Sequence, residues 1–373
     1  MTRKTRLILL LICVALFLVV APYIVLYSLG YRVDFVNRKI TVTGGIYVVA
    51  RPAPANIAIN SITRNTTGFF SEAVFVQNLL PGQHSVSIKK DGYFDYQKTL
   101  LVREKEVTKL EEVTLFKKEP AFAQLLTTEE FELLTKKPVD QFIIKTGSLY
   151  YANTPENAEL TALQKSTPII KNIVAFEVSG NSILWLGTDG LLYRFDITAR
   201  TSEPLSQTPY TIAKKKTYIL KTVAGNTFLL ENTTALLFNK TTTAFEPFYT
   251  GVKDLVGSPD NQKIAYYSDN ELWYWVLNAK EEPEKFLLQK TKDNITNVYW
   301  INNNYLLFLA GNTITITEID TRGNVNAITL PQTISLATGD ITIKNPQIFF
   351  NGQDKKLYIL SGEAVYVSEK LIP

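Results

Sequence analysis

Residues 7–31 carry no charged side chain, and the first part of that stretch, Leu7–Leu26 (LILLLICVALFLVVAPYIVL), is almost wholly apolar. About 20 apolar residues in a helix cross the hydrocarbon core of a bilayer. The run is hydrophobic on every face, so an amphipathic surface helix does not account for it. Tyr23, Tyr27 and Tyr31 gather at its far end, where an aromatic belt would sit at the interface. Arg3, Lys4 and Arg6 stand at its near end, which favours a cytoplasmic amino terminus. The expected order is therefore a cytoplasmic basic tail (1–6), a transmembrane helix (7–31) and an extracytoplasmic bulk. A cleaved signal peptide is the competing reading, with Val19-Val20-Ala21 as the cleavage candidate. Pro22 comes directly after it and should block cutting, and the apolar stretch outlasts a typical signal core. Cys13 lies deep in the span, away from the juxtamembrane positions that palmitoylation prefers, so it reads as a small lipid-facing or helix-facing residue.

Beyond the apolar stretch the chain has the balance of a folded protein. The sequence is 46% hydrophobic and 20% charged, which excludes disorder. Its net charge of +4 falls to +1 once Arg3, Lys4 and Arg6 are set aside, too little for a footprint on nucleic-acid phosphate. His84 is the single histidine and Cys13 the single cysteine. A zinc site lacks its ligands, no disulfide forms within the chain, and any histidine-dependent nucleophile is confined to His84.

Short alternating runs dominate downstream, so the fold class is mainly β. Val33/Phe35 and Ile40/Val42 suggest a juxtamembrane hairpin (32–44), joined across Val36-Asn37-Arg38-Lys39. Gly44-Gly45 opens a new segment, Ile46–Arg51, and Ile57 and Ile59 flank Ala58 in strand fashion. Leu80-Pro81-Gly82 marks a turn. In His84–Lys89 the alternation turns Val86 and Ile88 to a core and leaves His84 a half-exposed strand residue. Asp91-Gly92 is a hairpin signal, and Thr99–Arg103 and Val107–Leu115 supply two more strands.

Residues 45–116 resemble a PEGA domain, a small β-sandwich of bacterial and archaeal envelope proteins. The resemblance rests on Pro52-Ala53-Pro54-Ala55 followed by Asn56-Ile57-Ala58-Ile59-Asn60, and on Leu80-Pro81-Gly82 leading through Val86-Ser87-Ile88 to Gly92-Tyr93. Ala53 and Pro54 depart from the family's usual Glu and Gly. The resemblance implies an envelope-associated, non-catalytic module with no catalytic residues to carry over. Tyr93 is expected to pack its ring on the small core.

Lys117–Pro120 is charged and ends in proline, which makes 117–120 a linker. Residues 121–373 carry a loose repeat, with similar strands near Leu149-Tyr150, Leu192-Tyr193, Leu236-Leu237, Leu272-Trp273, Ile314–Ile316 and either Tyr358 or Val365-Tyr366. Such spacing is that of propeller blades. Asn172–Arg200 reads as strand, turn, strand, turn and strand. The stretch from Ser258-Pro259-Asp260 through Lys263-Ile264-Ala265-Tyr266 to Leu272-Trp273 is similar to the propeller repeat of the periplasmic Tol-Pal protein. About six blades are expected over 121–373, with Phe122–Leu134 as an extra strand closing the ring against Leu357–Leu360 and Ala364–Ser368. Trp273 and Trp275 are expected in the core. A pair of β-sandwiches is the alternative architecture.

Chemical motifs are scarce. No phosphate-binding loop, nucleophile elbow or EF-hand loop occurs. Glu129/Glu130 and Glu281/Glu282 are acidic pairs, the second in a charged loop with Lys280, Pro283, Glu284 and Lys285. Leu330-Pro331-Gln332-Thr333-Ile334 resembles a sortase signal but lacks the following Gly, and reads as a loop. Four Asn-x-Thr triplets, starting at Asn65, Asn232, Asn239 and Asn294, have the form that chance supplies in a chain rich in Asn and Thr. No catalytic, cofactor-binding or metal-binding residue is assigned, and no cofactor is expected. The expected function is non-catalytic binding or scaffolding of an envelope protein or glycan. The alternative is an envelope glycan hydrolase using propeller carboxylates, and a structural spacer is the third reading.

Overall fold

These patterns lead to a long apolar helix and a mainly β remainder, and both are present in the computed structural model, which describes residues 3–35, 38–67, 72–135, 142–151, 167–277, 284–336 and 339–373. The chain separates into two units. The first comprises residues 1–120, 320–328 and 371–373, and the second residues 121–319 and 329–370.

In the first unit, α1 (Arg3–Ser28) is one helix, long and apolar enough to cross a membrane, with none of its residues buried. At 1.5 Å per residue its 26 residues reach about 39 Å. Arg32 caps its end: Nη1 donates to the carbonyls of Tyr27 (2.7 Å) and Tyr31 (2.8 Å), and the guanidinium lies 3.4 Å from the Tyr27 ring centroid. A cation at a helix C-terminus complements the orphaned carbonyls there.

The hairpin comes next. β1 (Tyr31–Asp34) pairs antiparallel with β2 (Lys39–Val42), Val33 facing Ile40. Its expected turn at Val36-Asn37 lies outside the described residues. Then come β3 (Gly44–Arg51), β4 (Asn56–Ile59), β5 (Ile62–Thr66), β6 (Ala73–Leu79), β7 (Gly82–Lys89), β8 (Tyr96–Val102) and β9 (Val107–Thr114). They form two sheets, ordered β6-β3-β9 and β5-β4-β7-β8, with β3 and β9 parallel. The residues that alternate inward make one core, in which Ile46 and Val48 of one sheet meet Ile57, Val86, Ile88 and Leu100 of the other. Gly44 starts β3 because a Cβ there would stand 2.3 Å from the Arg103 carbonyl oxygen. Tyr93 packs against the core.

His84 departs from its sequence-based expectation. It is buried rather than half-exposed, because the same two-residue period that buries Val86 and Ile88 turns residue 84 inward. Its Nε2 bonds the Leu80 carbonyl (2.7 Å), and its Nδ1 lies 2.9 Å from Nδ2 of Asn60. The amide can only donate and the carbonyl only accept, so this arrangement takes the neutral Nε2–H tautomer.

Residues 320–328 cover β8. Lys98 has a fully buried side chain, and its Nζ donates to the carbonyls of Asp320 (2.7 Å) and Asn324 (3.0 Å) and lies 3.6 Å from Asp320 Oδ2. The Asn324 side chain accepts from Thr99 N–H (3.1 Å) and donates to the Gln97 carbonyl (2.8 Å), meeting edge groups of β8 as a neighbouring strand would.

The second unit begins with β10 (Phe122–Leu126) and a short helix, α2 (Thr128–Thr135). This corrects the expectation of one strand over Phe122–Leu134. Thr127 and Glu130 form a capping box, with Glu130 Oε2 accepting from Thr127 N–H (2.9 Å) and Thr127 Oγ1 from Glu130 N–H (3.3 Å). Small antiparallel sheets then succeed one another along the chain. The first holds β11 (Phe142–Lys145), β12 (Ser148–Tyr151) and β13 (Ile170–Lys171). The second holds β14 (Ile173–Ser179), β15 (Ser182–Gly187), β16 (Leu192–Asp196) and β17 (Thr201–Pro204). The third holds β18 (Tyr218–Val223), β19 (Asn226–Glu231), β20 (Thr234–Asn239) and β21 (Ala244–Thr250). The fourth holds β22 (Asp254–Gly257), β23 (Lys263–Tyr267), β24 (Glu271–Val276) and β25 (Lys285–Lys290). The fifth holds β26 (Ile295–Trp300), β27 (Tyr305–Ala310), β28 (Thr313–Glu318) and β29 (Ala327–Thr329).

A two-stranded ribbon comes after these, β30 (Thr333–Leu336) with β31 (Gly339–Thr342). Thr333 and Ile334, expected in a loop, thus start a strand, because Ile334 is buried. The sixth sheet is β32 (Gln347–Asn351), β33 (Lys356–Ser361) and β34 (Ala364–Lys370), completed by β10, which pairs with β34 through Phe122↔Ser368 and Ala123↔Val367. First strands of successive sheets lie side by side: β14 with β18, β18 with β22, β22 with β26, and β26 with β32. Trp275 is buried between sheets and Trp273 packs beside it.

Candidate functional site

The first strands of the third to sixth sheets bring polar side chains from separate repeats together. They line a cavity of about 680 Å³, walled by β18, β22, β26 and β32 with the start of the β22–β23 turn. Lys221 of β18 and Asp254 of β22 form a close ion pair on its wall. Asp254 Oδ1 also accepts from the Leu255 N–H (2.8 Å). Asp254 is the only carboxylate among the lining residues and Lys221 the only cation, so the two formal charges cancel.

Aromatic groups supply much of the rest. Tyr267 OH donates to the Thr296 carbonyl (3.2 Å), Tyr299 OH to the Ile348 carbonyl (2.9 Å), and Trp300 Nε1 to the Val256 carbonyl (3.0 Å). The Tyr299 and Phe349 rings meet edge to face at 6.0 Å. Burial pushes the Tyr267 phenol well up, with the Asp254 charge and Tyr299 adding to it. Burial also raises Tyr299; a hydrogen bond with Asn297 opposes this and the Asp254 charge supports it. Both rings are neutral at physiological pH. Thr222 Oγ1, on the lining residue next to Lys221, is a buried oxygen with no hydrogen-bond partner among the described residues.

The turn at the cavity edge explains the Ser-Pro-Asp motif. Ser258 Oγ donates to Asp260 Oδ1 and accepts from Lys263 N–H (3.0 Å), while Lys263 Nζ reaches Asp260 Oδ2 (3.1 Å). Burial works against ionisation of Asp260, but bonds from Ser258, Gln262 and Lys263 outweigh it and hold its carboxyl below the usual range. The motif fastens a turn.

Other residues singled out in the sequence serve the fold. Glu130 caps α2. The Asn239 side chain accepts from Thr241 N–H (2.8 Å), an Asx turn. Glu281 and Glu282 lie outside the described residues. Among the described residues no cluster of three or more His, Cys, Asp or Glu could hold a metal ion. The cavity residues escape sequence reading because no motif links positions in four separate repeats. The available signal is a polar residue on each of three inner strands, namely Lys221, Asp254 and Asn297.

Residues 43–116 match the PEGA domain family. Among curated proteins no relative matches the chain. Solved structures similar to it include the N-terminal domain of Nup159, 12% identical, covering 69% of this chain and 82% of that one with a TM-score of 0.35. A second comes from an S. cerevisiae complex of Dbp5 with Nup159 and Gle1, 12% identical, covering 67% and 81% with a TM-score of 0.34. The extracellular domain of BT4673 from B. thetaiotaomicron is also 12% identical, and the similarity covers 77% of this chain and 37% of that one with a TM-score of 0.39.

Proposed function

We propose that this chain is a single-pass cell-envelope protein with its amino terminus in the cytoplasm and its bulk outside. In this reading residues 121–373 form a six-bladed β-propeller that binds an envelope glycan without transforming it. The length of α1 and the basic residues Arg3, Lys4 and Arg6 at its amino-terminal end support the anchor. The PEGA match supports an extracellular setting. Six successive small sheets, the first strands of the second to sixth side by side, and a last sheet completed by β10 support the propeller, as does the Tol-Pal-like repeat at Ser258–Trp273.

The observation that carries the binding reading is the cavity lining. Its charges cancel in the Lys221–Asp254 pair, its phenols are neutral, and aromatic faces stand beside amide and hydroxyl groups. That chemistry suits an uncharged polyhydroxylated ligand, whose sugar faces stack on rings and whose hydroxyls bond Asn and Thr. A glycan hydrolase needs two carboxylates about 5 or 6.5–9.5 Å apart. Asp254 has no second carboxylate beside it among the lining residues. The test is a tryptophan-fluorescence titration of the full chain in nanodiscs with N-acetylglucosamine oligomers. Saturable binding should weaken at least tenfold in Tyr299→Ala. Release of shorter sugars from those oligomers would establish the hydrolase instead, and no saturable change at millimolar oligomer would remove the glycan.

A further inference from the structure

The β1–β2 hairpin has one face committed to the protein and another that is open toward its tip, beyond the buried Val42 at its base. On the committed face Asp34 and Thr41 are buried, and Thr41 Oγ1 donates to Glu104 Oε1 at 2.5 Å. Just beyond it, Thr43 N–H and Oγ1 both reach the Gly30 carbonyl, at 2.9 and 3.0 Å, and Lys105 N–H reaches the Thr43 carbonyl at 3.3 Å. The second strand of the hairpin is therefore fixed to the rest of its unit both within its length and just past its end. On the open face Val33 is 48% exposed, Ile40 66% and Phe35 84%. Val33 and Ile40 are direct cross-strand partners, and Phe35 stands directly after the end of β1. Arg38 and Lys39, at the tip, are exposed.

Position decides what meets that face. The hairpin begins at Tyr31, three residues beyond the end of α1, and Arg32 ties the two together through its bonds to the Tyr27 and Tyr31 carbonyls and to Asn78 Oδ1 (3.0 Å). Four strand residues at about 3.3 Å each keep Phe35 within roughly 13 Å of Tyr31. A headgroup layer is several ångströms deep on each side of the hydrocarbon. Apolar side chains beside two cations are the pairing that interfacial segments use against anionic lipid.

We propose that the open face of the β1–β2 hairpin lies in the lipid interface as a second membrane contact, with Val33, Phe35 and Ile40 among the upper acyl chains and Arg38 and Lys39 on anionic headgroups. The proposal rests on α1 being a membrane anchor, and the test separates the two. The full chain is placed in nanodiscs of phosphatidylcholine and phosphatidylglycerol, with an NBD dye on one cysteine at a time. Native Cys13 reports on the anchor. Cys13→Ser with Phe35→Cys, and Cys13→Ser with Val33→Cys, report on the hairpin. Cys13→Ser with Asp91→Cys is the control, since Asp91 is exposed and sits beyond the far ends of β7 and β8. Lipid carrying a shallow spin label should quench the dyes at 33 and 35 at least twofold and leave the dye at 91 unchanged. Arg38→Glu with Lys39→Glu should remove most of that quenching in the anionic discs. If Cys13 is unquenched by deep spin label, the anchor fails. If Cys13 is quenched and positions 33 and 35 behave like 91, the hairpin proposal alone is overturned. Blue-shifted emission at 35 without lipid quenching also overturns it, in favour of a second copy of the chain covering the face.

Discussion

Lys98 is a buried cation on a strand whose other inward residues, Tyr96, Leu100 and Val102, are apolar. Asp320, whose Oδ2 lies 3.6 Å from Lys98 Nζ, is half-buried, and that burial opposes its ionisation. The bonds from Arg322 and the charge of Lys98 outweigh that, so its carboxyl titrates below the usual range. A carboxyl depressed in the folded state adds stability above its unfolded pKa, near 4, and loses it as the pH falls through the folded value. Asp320→Asn should therefore lower stability at pH 7 by about 1–2 kcal/mol and flatten the acid limb below about pH 4, as read from urea midpoints across pH. Lys98→Met should be milder, because it removes the buried charge while Arg322 still serves Asp320. Gly190 offers a sharper case. Its φ is +82°, and an added Cβ would stand 1.9 Å from the Tyr210 carbonyl oxygen. Gly190→Ala should cost more than about 2 kcal/mol in a thermal melt, since backbone on both sides must shift. His84 shows how residue-scale legibility fails. The alternation of His84–Lys89 is plain in the sequence, but a lone polar residue within it invites an outward reading, although the period places it inward with Val86 and Ile88. Its hydrogen-bond partners Asn60 and Leu80 are invisible without the fold.

At the scale of elements, strands are legible wherever alternation meets a turn signal, as in β7, β14–β16 and β23–β24. The segment after Phe122 is not. Its apolar residues fit either period, and the deciding cue, Thr127 with Glu130 three positions on, is masked because Glu129 and Glu130 read as a charge pair. The cavity is illegible for another reason: its residues are neighbours only through sheet stacking, which no local pattern encodes. Strand β10 carries the element-scale prediction. Ala121 and Glu369 already share a ladder bond at 2.8 Å, so Ala123, two residues on, is expected to share the next one with Val367. Ala123→Pro should remove that donor and open the β34 edge. A fall in melting temperature of several degrees is expected, with increased aggregation on heating.

For the whole molecule, the anchor reading predicts that the purified protein keeps residues 1–21, so its intact mass matches the full 42.1 kDa chain. A mass lower by about 2 kDa would show cleavage after Ala21 and return the signal-peptide reading. Trypsin added to intact cells should digest the part beyond residue 31. Complete protection until lysis would place that bulk on the cytoplasmic side.

Strand β10 also bears on how the molecule is made. Phe122 and its partner Ser368 are 246 positions apart. A ribosome adding about 5–20 residues per second needs roughly 12–50 seconds to cover that interval. For most of it the sixth sheet lacks three of its four strands, and β10 waits with its ladder groups bare. A growing chain in that state is a natural client for whatever holdase guards its exit, and shortening it by even its last dozen residues would leave that vulnerability permanent.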